Sequence, residues 1–206
     1  MQMIAQLLAL IVALTLHEFA HGLMAHYLGD STAKDQGRLT LNPLAHIDPL
    51  ATLALPLLLI LVGSPVVFAA AKPVPFNPWA VRGGRWGSAL VALAGPFTNL
   101  LLAIFFSLCV RVLPFSVLSA TIFGAMIIVN IGLFVFNMIP FPPLDGSRLL
   151  YAVAPEALRD VMDRIERSGF MMLMIVMLVG YQFIAPYVAK ITIAIVQLLV
   201  PSSAGL

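Results

Sequence analysis

The sequence contains few charged residues for its length. Of its 206 residues, 10% are charged and 61% are apolar, and the mean hydropathy is +1.03. Soluble proteins carry about 25% charged residues and about 45–50% apolar ones, so this chain has too few charges to cover a globular surface in water. The composition excludes an ordinary soluble domain and predicts an all-α polytopic membrane protein with the lipid bilayer as its solvent.

The sequence also has a single cysteine and a small net charge. The single cysteine, Cys109, lies inside an apolar run, so no intrachain disulfide can form and nothing points to an oxidising compartment. Eleven basic residues against nine acidic ones give a net charge of +2, and the basic residues are spread along the chain. This distribution argues against nucleic acid as a partner. Repeats and long linkers are absent, so we expect one domain over residues 1–206, with its core at about 3–150 and C-terminal helices at about 156–200.

Apolar runs close to the roughly 20 residues that span a bilayer core recur along the chain. They predict about four to six membrane helices, the first of them uncleaved because no charged region or cleavage site precedes it. Pro186 interrupts the last run, which is either one kinked helix or two short ones. The amphipathic segment 156–167 predicts a helix at the membrane surface. The apolar runs cover residues 3–28, 50–71, 87–110, 117–138 and 169–200.

Two segments between the apolar runs have the pattern of extended chain. Residues 37–42 alternate in polarity, and residues 72–77 are rich in proline. We expect short β-strands there, and an exposed edge of such a strand can pair with an extended peptide. The alternative is that both segments are loops that join helices.

The first apolar run contains the sequence His17-Glu18-Phe19-Ala20-His21. Residues four apart on a helix lie about 40° from each other around its axis, so the two imidazoles face the same point and can bind one Zn²⁺. The intervening Glu18 is then placed to take a proton from the attacking water. The alternative is that neighbouring helices satisfy these polar groups, but a charge in mid-membrane costs about 2.5–3.5 kcal/mol.

A catalytic zinc site uses three protein ligands, so a third ligand must come from another position. His26 is about 140° from His21 around the helix and faces away from it. His46 and Asp48 lie in a polar loop, where exposure to solvent is the ordinary explanation. Asp145 follows a proline run that interrupts regular helix, so its backbone can bend back towards the membrane. The alternative for Asp145 is a cap on the next helix.

Three motifs together resemble the signatures of the site-2 protease family of intramembrane zinc metalloproteases, peptidase family M50. They are HEFAH at residues 17–21, AGPFTN at residues 94–99 and NMIPFPPLDG at residues 137–146. The resemblance covers about residues 8–150, and the C-terminal third is generic. It implies the short form of the family, without PDZ or cystathionine-synthase-type (CBS) domains.

The resemblance implies an enzyme, an intramembrane zinc-dependent endopeptidase with one zinc ion. By this resemblance, His17, His21 and Asp145 are the zinc ligands and Glu18 is the general base. The implied substrates are transmembrane segments of other membrane proteins, which must unwind locally before attack.

The resemblance also implies residues that contact substrate. Asn137 and Pro140 match positions that hold substrate in the family, and Asn99 matches the polar residue of its second core helix. We expect all three residues to belong to the substrate-binding part of the site.

The three proposed ligands can meet only if the helices that carry them end on the same face of the membrane. This requires residues 50–71 to form a re-entrant hairpin that enters and leaves on one face. The excess of basic residues in cytoplasmic loops favours the same topology. We therefore expect a prokaryotic cell (inner) membrane protein with its active site towards the cytoplasmic side. The basic residues on that face are Lys34, Arg38, Lys72, Arg82, Arg85, Arg148, Arg159, Arg164 and Arg167.

Two other functions are compatible with the motif. A metal transporter would use His17, Glu18 and His21 as a transit site, but it would need further acidic or histidine residues on facing helices. A proteolytically inactive homologue would bind membrane helices as a scaffold, and the intact Glu18 argues against that role.

Overall fold

The computed structural model describes residues 1–54, 61, 71–112 and 116–200, and every regular element in these ranges is helical. A 3₁₀ turn at Pro43–His46 and a π-helical turn at Pro49–Ala54 lie between the second and third helices. The predicted all-α fold is confirmed for this part of the chain. The helices are α1 (Gln2–Tyr27), α2 (Thr32–Asp35), α3 (Gly84–Val112), α4 (Val117–Asn137), α5 (Gly146–Val153), α6 (Glu156–Arg167) and α7 (Gly169–Leu199).

Four of the described helices are long and apolar enough to cross a membrane. They are α1, α3, α4 and the part of α7 from Gln182 to Leu199. The number agrees with the lower end of the predicted range. Pro186 lies inside α7 without ending it, so residues 169–199 form one helix rather than two. The amphipathic segment forms a separate helix, α6, with the bounds that the sequence predicts.

Helices α1, α3 and α4 pack against one another and form the core of the fold. Small residues four apart on α1, at Ala5, Ala9 and Ala13, are buried and allow close contact between helices. On the other side of α4, Ile127 and Ile131 are fully buried in a cluster that includes residues of α3 and α7. The three-helix core is therefore covered by α7 along one face of α4.

The predicted short strands are not confirmed. Neither residues 37–42 nor residues 72–77 form a strand, and no strand occurs elsewhere in the described ranges. The prolines at 73, 75 and 78 lack the N–H that a ladder needs. Other amides of this segment bond to side chains instead, as Val74 does to Glu18. Both segments run along the end of α1 as loops.

The chain reverses direction between α4 and α5. Helix α4 ends at Asn137, and α5 begins at Gly146 after eight residues that contain three prolines. The predicted interruption of helix is therefore present, and α5 packs back against α3. This reversal brings Asp145 towards the core helices. The predicted re-entrant hairpin at residues 50–71 lies largely outside the described residues.

Candidate metal centre

Two histidines of α1 and a carboxylate from a distant part of the sequence converge on one point between α1 and α5. His17 and His21 lie one turn apart on α1, and Asp145 directly precedes α5. The Oδ2 atom of Asp145 is 3.2 Å from His17 Nε2 and 3.4 Å from His21 Nε2. The two Nε2 atoms are 3.0 Å apart. Within the described part of the chain, these three residues form a group of potential ligands that could hold a metal ion. We call it the ligand group.

Both histidines use their other ring nitrogen to bond to the protein. His17 Nδ1 is 2.6 Å from Asn99 Oδ1, and His21 Nδ1 is 2.8 Å from the carbonyl oxygen of Val91. Since a carbonyl oxygen can only accept, both Nδ1 atoms carry the proton and donate. In a neutral imidazole the Nε2 atom then has a free lone pair. Both lone pairs therefore face the same carboxylate oxygen.

The orientation of the Asn99 amide follows from its own partners. Its Nδ2 atom donates to the backbone oxygen of Ala13 at 3.3 Å and to Asn130 Oδ1 at 2.9 Å. Asn130 Nδ2 in turn donates to the backbone oxygen of Met126 at 2.7 Å. Asn99 and Asn130 are both fully buried. A chain of amides across α3 and α4 thus fixes the oxygen of Asn99 opposite His17.

Asp145 does not cap the helix that it precedes. It stands at the N-cap position of α5, yet its side chain makes no capping hydrogen bond. Its Oδ2 atom is buried and has no hydrogen-bond donor among the described residues. Three acceptor atoms thus meet at 3.0–3.4 Å with no proton between them. Mutual repulsion disfavours this arrangement unless a cation occupies the point between them, so these residues fit a metal ion.

Two glycines allow the backbones to approach this point. A Cβ atom at Gly95 would lie 2.4 Å from His21 Nε2, so the backbone of α3 passes the histidine rings at a distance that leaves no room for a side chain at this position. A Cβ atom at Gly146 would lie 2.5 Å from the carbonyl oxygen of Met138. The second contact fixes the reversal that carries Asp145.

Glu18 is buried on α1 between the two histidines. Its Oε2 atom accepts a hydrogen bond of 2.8 Å from the backbone N–H of Val74. It does not belong to the group of potential ligands. It lies beside the two histidines in the sequence of α1 but outside the group of potential ligands, and its role as general base stays a prediction.

The other residues singled out from the sequence lie elsewhere. Asn137 is partly buried and donates to Leu133 of its own helix at 3.0 Å, and Pro140 is exposed. Neither makes a hydrogen bond to the ligand group in the described structure, and their predicted contact with substrate stays a prediction. Asn99, also predicted to bind substrate, is fully buried against His17.

Three further candidate ligands are not part of the cluster in the described structure. His26 lies near the end of α1, where its Nδ1 atom is 3.4 Å from Ser31 Oγ. His46 is buried, and its Nε2 atom donates to the backbone oxygen of Thr40 at 2.9 Å. Asp48 accompanies His46 in the same loop. The third member of the ligand group is therefore Asp145.

Sequence reasoning missed three groups that support the site. They are the carbonyl oxygen of Val91, the backbone N–H of Val74 and the amide of Asn130. Backbone groups give no sequence signal. Asn130 gives a weak sequence signal, because an asparagine in the middle of an apolar run needs polar partners.

Comparisons with known proteins give one family model and several relatives. The model for peptidase family M50 matches residues 115–181. YwhC of Bacillus subtilis, named as a candidate zinc metalloprotease, is 40% identical over 177 residues, which cover 82% of this chain and 77% of that protein. Rip2 of Mycobacterium tuberculosis, named likewise, is 34% identical over 143 residues, which cover 68% of this chain and 53% of Rip2. No solved structure matches the chain significantly.

Proposed function

Since the chain belongs to peptidase family M50, the site-2 protease family, we propose that it is a zinc-dependent intramembrane endopeptidase. The observation that carries this proposal is the convergence of His17, His21 and Asp145 on one point with three free lone pairs. The names of the relatives support a zinc metalloprotease. The four apolar helices support a multi-pass membrane protein whose reaction takes place at or below the membrane surface.

Zinc suits this ligand set. Two imidazoles and one carboxylate are ligands that zinc accepts, and tetrahedral ligands about 2.0–2.1 Å from one ion lie about 3.3 Å apart. The observed separations of 3.0–3.4 Å are of this size. When bound, zinc supplies a Lewis acid that polarises a carbonyl oxygen and acidifies water. His17, His21 and Asp145 would hold the ion, and the fourth position would be left for the reaction.

Glu18 supplies the proton transfers of the proposed reaction. As general base it takes a proton from the water that attacks the scissile carbonyl carbon, and it later gives that proton to the leaving amine as the C–N bond breaks. Its burial beside the two histidines supports this role. An ionised carboxylate buried in a membrane helix costs free energy, which indicates that the residue has a function there.

The proposed substrates are transmembrane segments of other membrane proteins. A helical segment must unwind before attack, because its carbonyls are engaged in hydrogen bonds. Phe76 offers a place for an unwound segment, since neither its N–H nor its carbonyl has a partner among the described residues. We propose that Asn137 and Pro140 contact the same segment, and that Asn99 orients His17 rather than substrate.

We propose that the active site faces the cytoplasm in a prokaryotic cell membrane. The C-terminal half of α1, the N-terminal half of α3 and the start of α5, which follows α4, lie at the metal centre. A re-entrant segment at residues 50–71 would satisfy this arrangement. The cluster of basic residues on the same side supports a cytoplasmic location.

The proposal is tested with purified protein, metal analysis and a single-span membrane protein as substrate. We expect about one zinc per chain in the wild type and in Glu18→Gln, with cleavage at least about 100-fold slower in Glu18→Gln. Asp145→Asn should lose zinc, whereas the control Asp35→Asn, at an exposed acid, should keep it. Zinc-loaded wild type that cleaves none of a panel of single-span proteins would contradict the protease and favour the scaffold.

A further inference from the structure

A proline-rich segment, residues 72–77, crosses the end of α1 and meets Glu18. We call it the strap. The backbone N–H of Val74, at its middle, donates to Glu18 Oε2 at 2.8 Å, and both groups are buried. This contact joins positions 56 residues apart in the sequence. One oxygen of the Glu18 carboxylate is therefore held by the backbone of the strap, and the other oxygen has no protein donor among the described residues.

The sequence of the strap limits its conformations. Lys72, Val74 and Asn77 each precede a proline, which disfavours helical backbone at those residues. The prolines themselves have a fixed φ angle. The amide of Val74 is therefore presented by a stiff segment that loses little conformational entropy on binding.

The side chain of Val74 fixes the position of the strap on α1. Val74 is 8% exposed. A Cβ atom at Gly22 would lie 3.2 Å from Val74, 3.3 Å from Leu39 and 3.4 Å from Ala33, so Gly22 provides the recess in which Val74 packs. Gly22 follows His21 directly. The strap is thus held against the same turn of α1 that carries the second histidine.

Both ends of the strap are tied to the protein. At its N-terminal end, the backbone N–H of Lys72 donates to the carbonyl oxygen of His46 at 2.9 Å. The carbonyl oxygen of Lys72 accepts a 2.9 Å hydrogen bond from Arg38. At the other end, the N–H of Asn77 donates to Asp30 Oδ2 at 2.6 Å.

Asp30 itself is a firm anchor for the strap. It is 2% exposed, and its other oxygen accepts from the N–H and hydroxyl of Thr32. Burial raises the pKa of Asp30, but the hydrogen bonds from Thr32 and Asn77 hold the pKa below its usual value. The carboxylate thus stays ionised where it binds the strap.

We propose that the strap is a positioning element for the general base, in which the Val74 amide holds one oxygen of Glu18 so that the other points to the reacting water. The catalytic part of this inference rests on the proposed function. A carboxylate on a helix samples several rotamers, and each one that turns away from the water is unproductive. The hydrogen bond removes those rotamers without donating to the oxygen that takes the proton. Val74 acts through Glu18 and is not itself a catalytic residue.

Amide hydrogen exchange tests the hydrogen bond without using catalysis. Because residues 73, 75 and 78 are prolines, peptides that contain the strap carry few exchangeable amides there, at residues 72, 74, 76 and 77. We expect Glu18→Ala to add about one fast-exchanging hydrogen to these peptides relative to wild type. Glu18→Gln keeps an acceptor oxygen and should leave the exchange unchanged. Equal exchange in wild type and Glu18→Ala would overturn the inference.

Kinetics test the positioning role. Val74→Pro removes the N–H and keeps the extended backbone, whereas Val74→Ala keeps the N–H and removes most of the side chain. We expect Val74→Pro to lower kcat about 10- to 100-fold, with KM within about twofold and zinc content unchanged, and Val74→Ala to lose much less. A wild-type kcat in Val74→Pro would overturn the role.

The two measurements separate this inference from the proposed function. If Val74→Pro does not fold, as loss of zinc would reveal, the exchange experiment on the Glu18 variants still decides whether the strap binds the carboxylate. If the wild type cleaves no substrate, the proposed protease fails while the exchange result stands by itself. Slow exchange at Val74 together with a wild-type kcat in a folded Val74→Pro would overturn only the positioning.

Discussion

At the scale of single residues, one buried asparagine determines which nitrogen of His17 faces the ligand cluster. The NH₂ group of Asn99 donates to the carbonyl oxygens of Ala13 and Asn130, so its own side-chain oxygen is the atom that faces His17. The imidazole must then carry its proton on Nδ1 and present a lone pair on Nε2. Two amides outside the group of potential ligands thus orient the lone pair of His17 towards that group.

Replacing Asn99 with leucine tests this orientation. Asn99→Leu keeps a similar volume but leaves His17 Nδ1–H and Asn130 Oδ1 without partners, and each buried unpaired group costs about 1–3 kcal/mol. We expect zinc affinity to fall about 10- to 100-fold, measured by competition with a chromogenic chelator.

Asn137→Leu is the matched control for Asn99→Leu. The amide of Asn137 donates to the carbonyl oxygen of Leu133 in its own helix, and it makes no hydrogen bond to the ligand group in the described structure. We expect its zinc affinity to equal that of the wild type. Equal affinities for all three proteins would show that the Asn99 hydrogen bond does not prepare the ligand.

The sequence indicated which three side chains lie together better than it indicated the groups that hold them in place. The four-residue spacing of His17 and His21 places both on one helix face for geometric reasons, and the resemblance supplied Asp145. The carbonyl of Val91 and the N–H of Val74 could not be predicted, because every residue has these groups and only the tertiary fold selects one.

At the scale of elements, the metal centre depends on how closely α3 approaches α1. Gly95 is the point of contact, since a Cβ atom there would lie 2.4 Å from His21 Nε2 and 2.7 Å from His17 Cε1. Rings on a helix cannot move away without changing rotamer or shifting the helix. With the rings in this arrangement, α3 can pass this close to them only because residue 95 has no side chain.

Gly95→Ala should force the two helices or the two rings apart. Overpacking of this kind costs about 1–3 kcal/mol, and here it acts directly on the ligand atoms. We expect a lower melting temperature in detergent and a loss of bound zinc, measured by thermal unfolding and metal analysis.

Gly132→Ala makes the same chemical change on α4, where a Cβ atom would meet nothing within 4 Å. Alanine favours helix over glycine by about 1 kcal/mol, so we expect this variant to keep its zinc and to melt at the wild-type temperature or above. A Gly95→Ala protein that matches Gly132→Ala in both measurements would contradict the close approach.

The helices were predictable from the sequence because apolar length and composition determine which segments can span a bilayer. The prediction of strands at residues 37–42 and 72–77 failed for a local reason. Alternation and proline favour extended chain, but a strand also needs a neighbour with free backbone groups. Glu18, Asp30 and Arg38 take the place of that neighbour. The short helix α5 was missed because the prolines before it obscure its start.

At the scale of the whole molecule, the polar contacts are divided between two ends of the helix bundle. The ligand group, the strap and the start of α3 lie at one end, where Arg82 bonds to the carbonyl oxygens of Tyr27 and Leu28. At the other end, Arg111 bonds to the carbonyl oxygen of Leu199. The candidate metal centre thus lies at one end of the bundle, and our proposal that this end faces the cytoplasm rests on the excess of basic residues there.

Cysteine labelling tests this orientation, and the chain is well suited to it because Cys109 is its single cysteine. In a Cys109→Ser background, Trp79→Cys reports on the metal-centre end and Val117→Cys on the opposite end. Trp79 is 96% exposed and Val117 is 81% exposed, so both positions are open to reagent unless lipid covers them. With a membrane-impermeant maleimide, we expect Trp79→Cys to react in inside-out vesicles and Val117→Cys in right-side-out vesicles. Reaction of both in the same vesicles would contradict the bundle topology, and the reversed pattern would place the metal centre on the outer side.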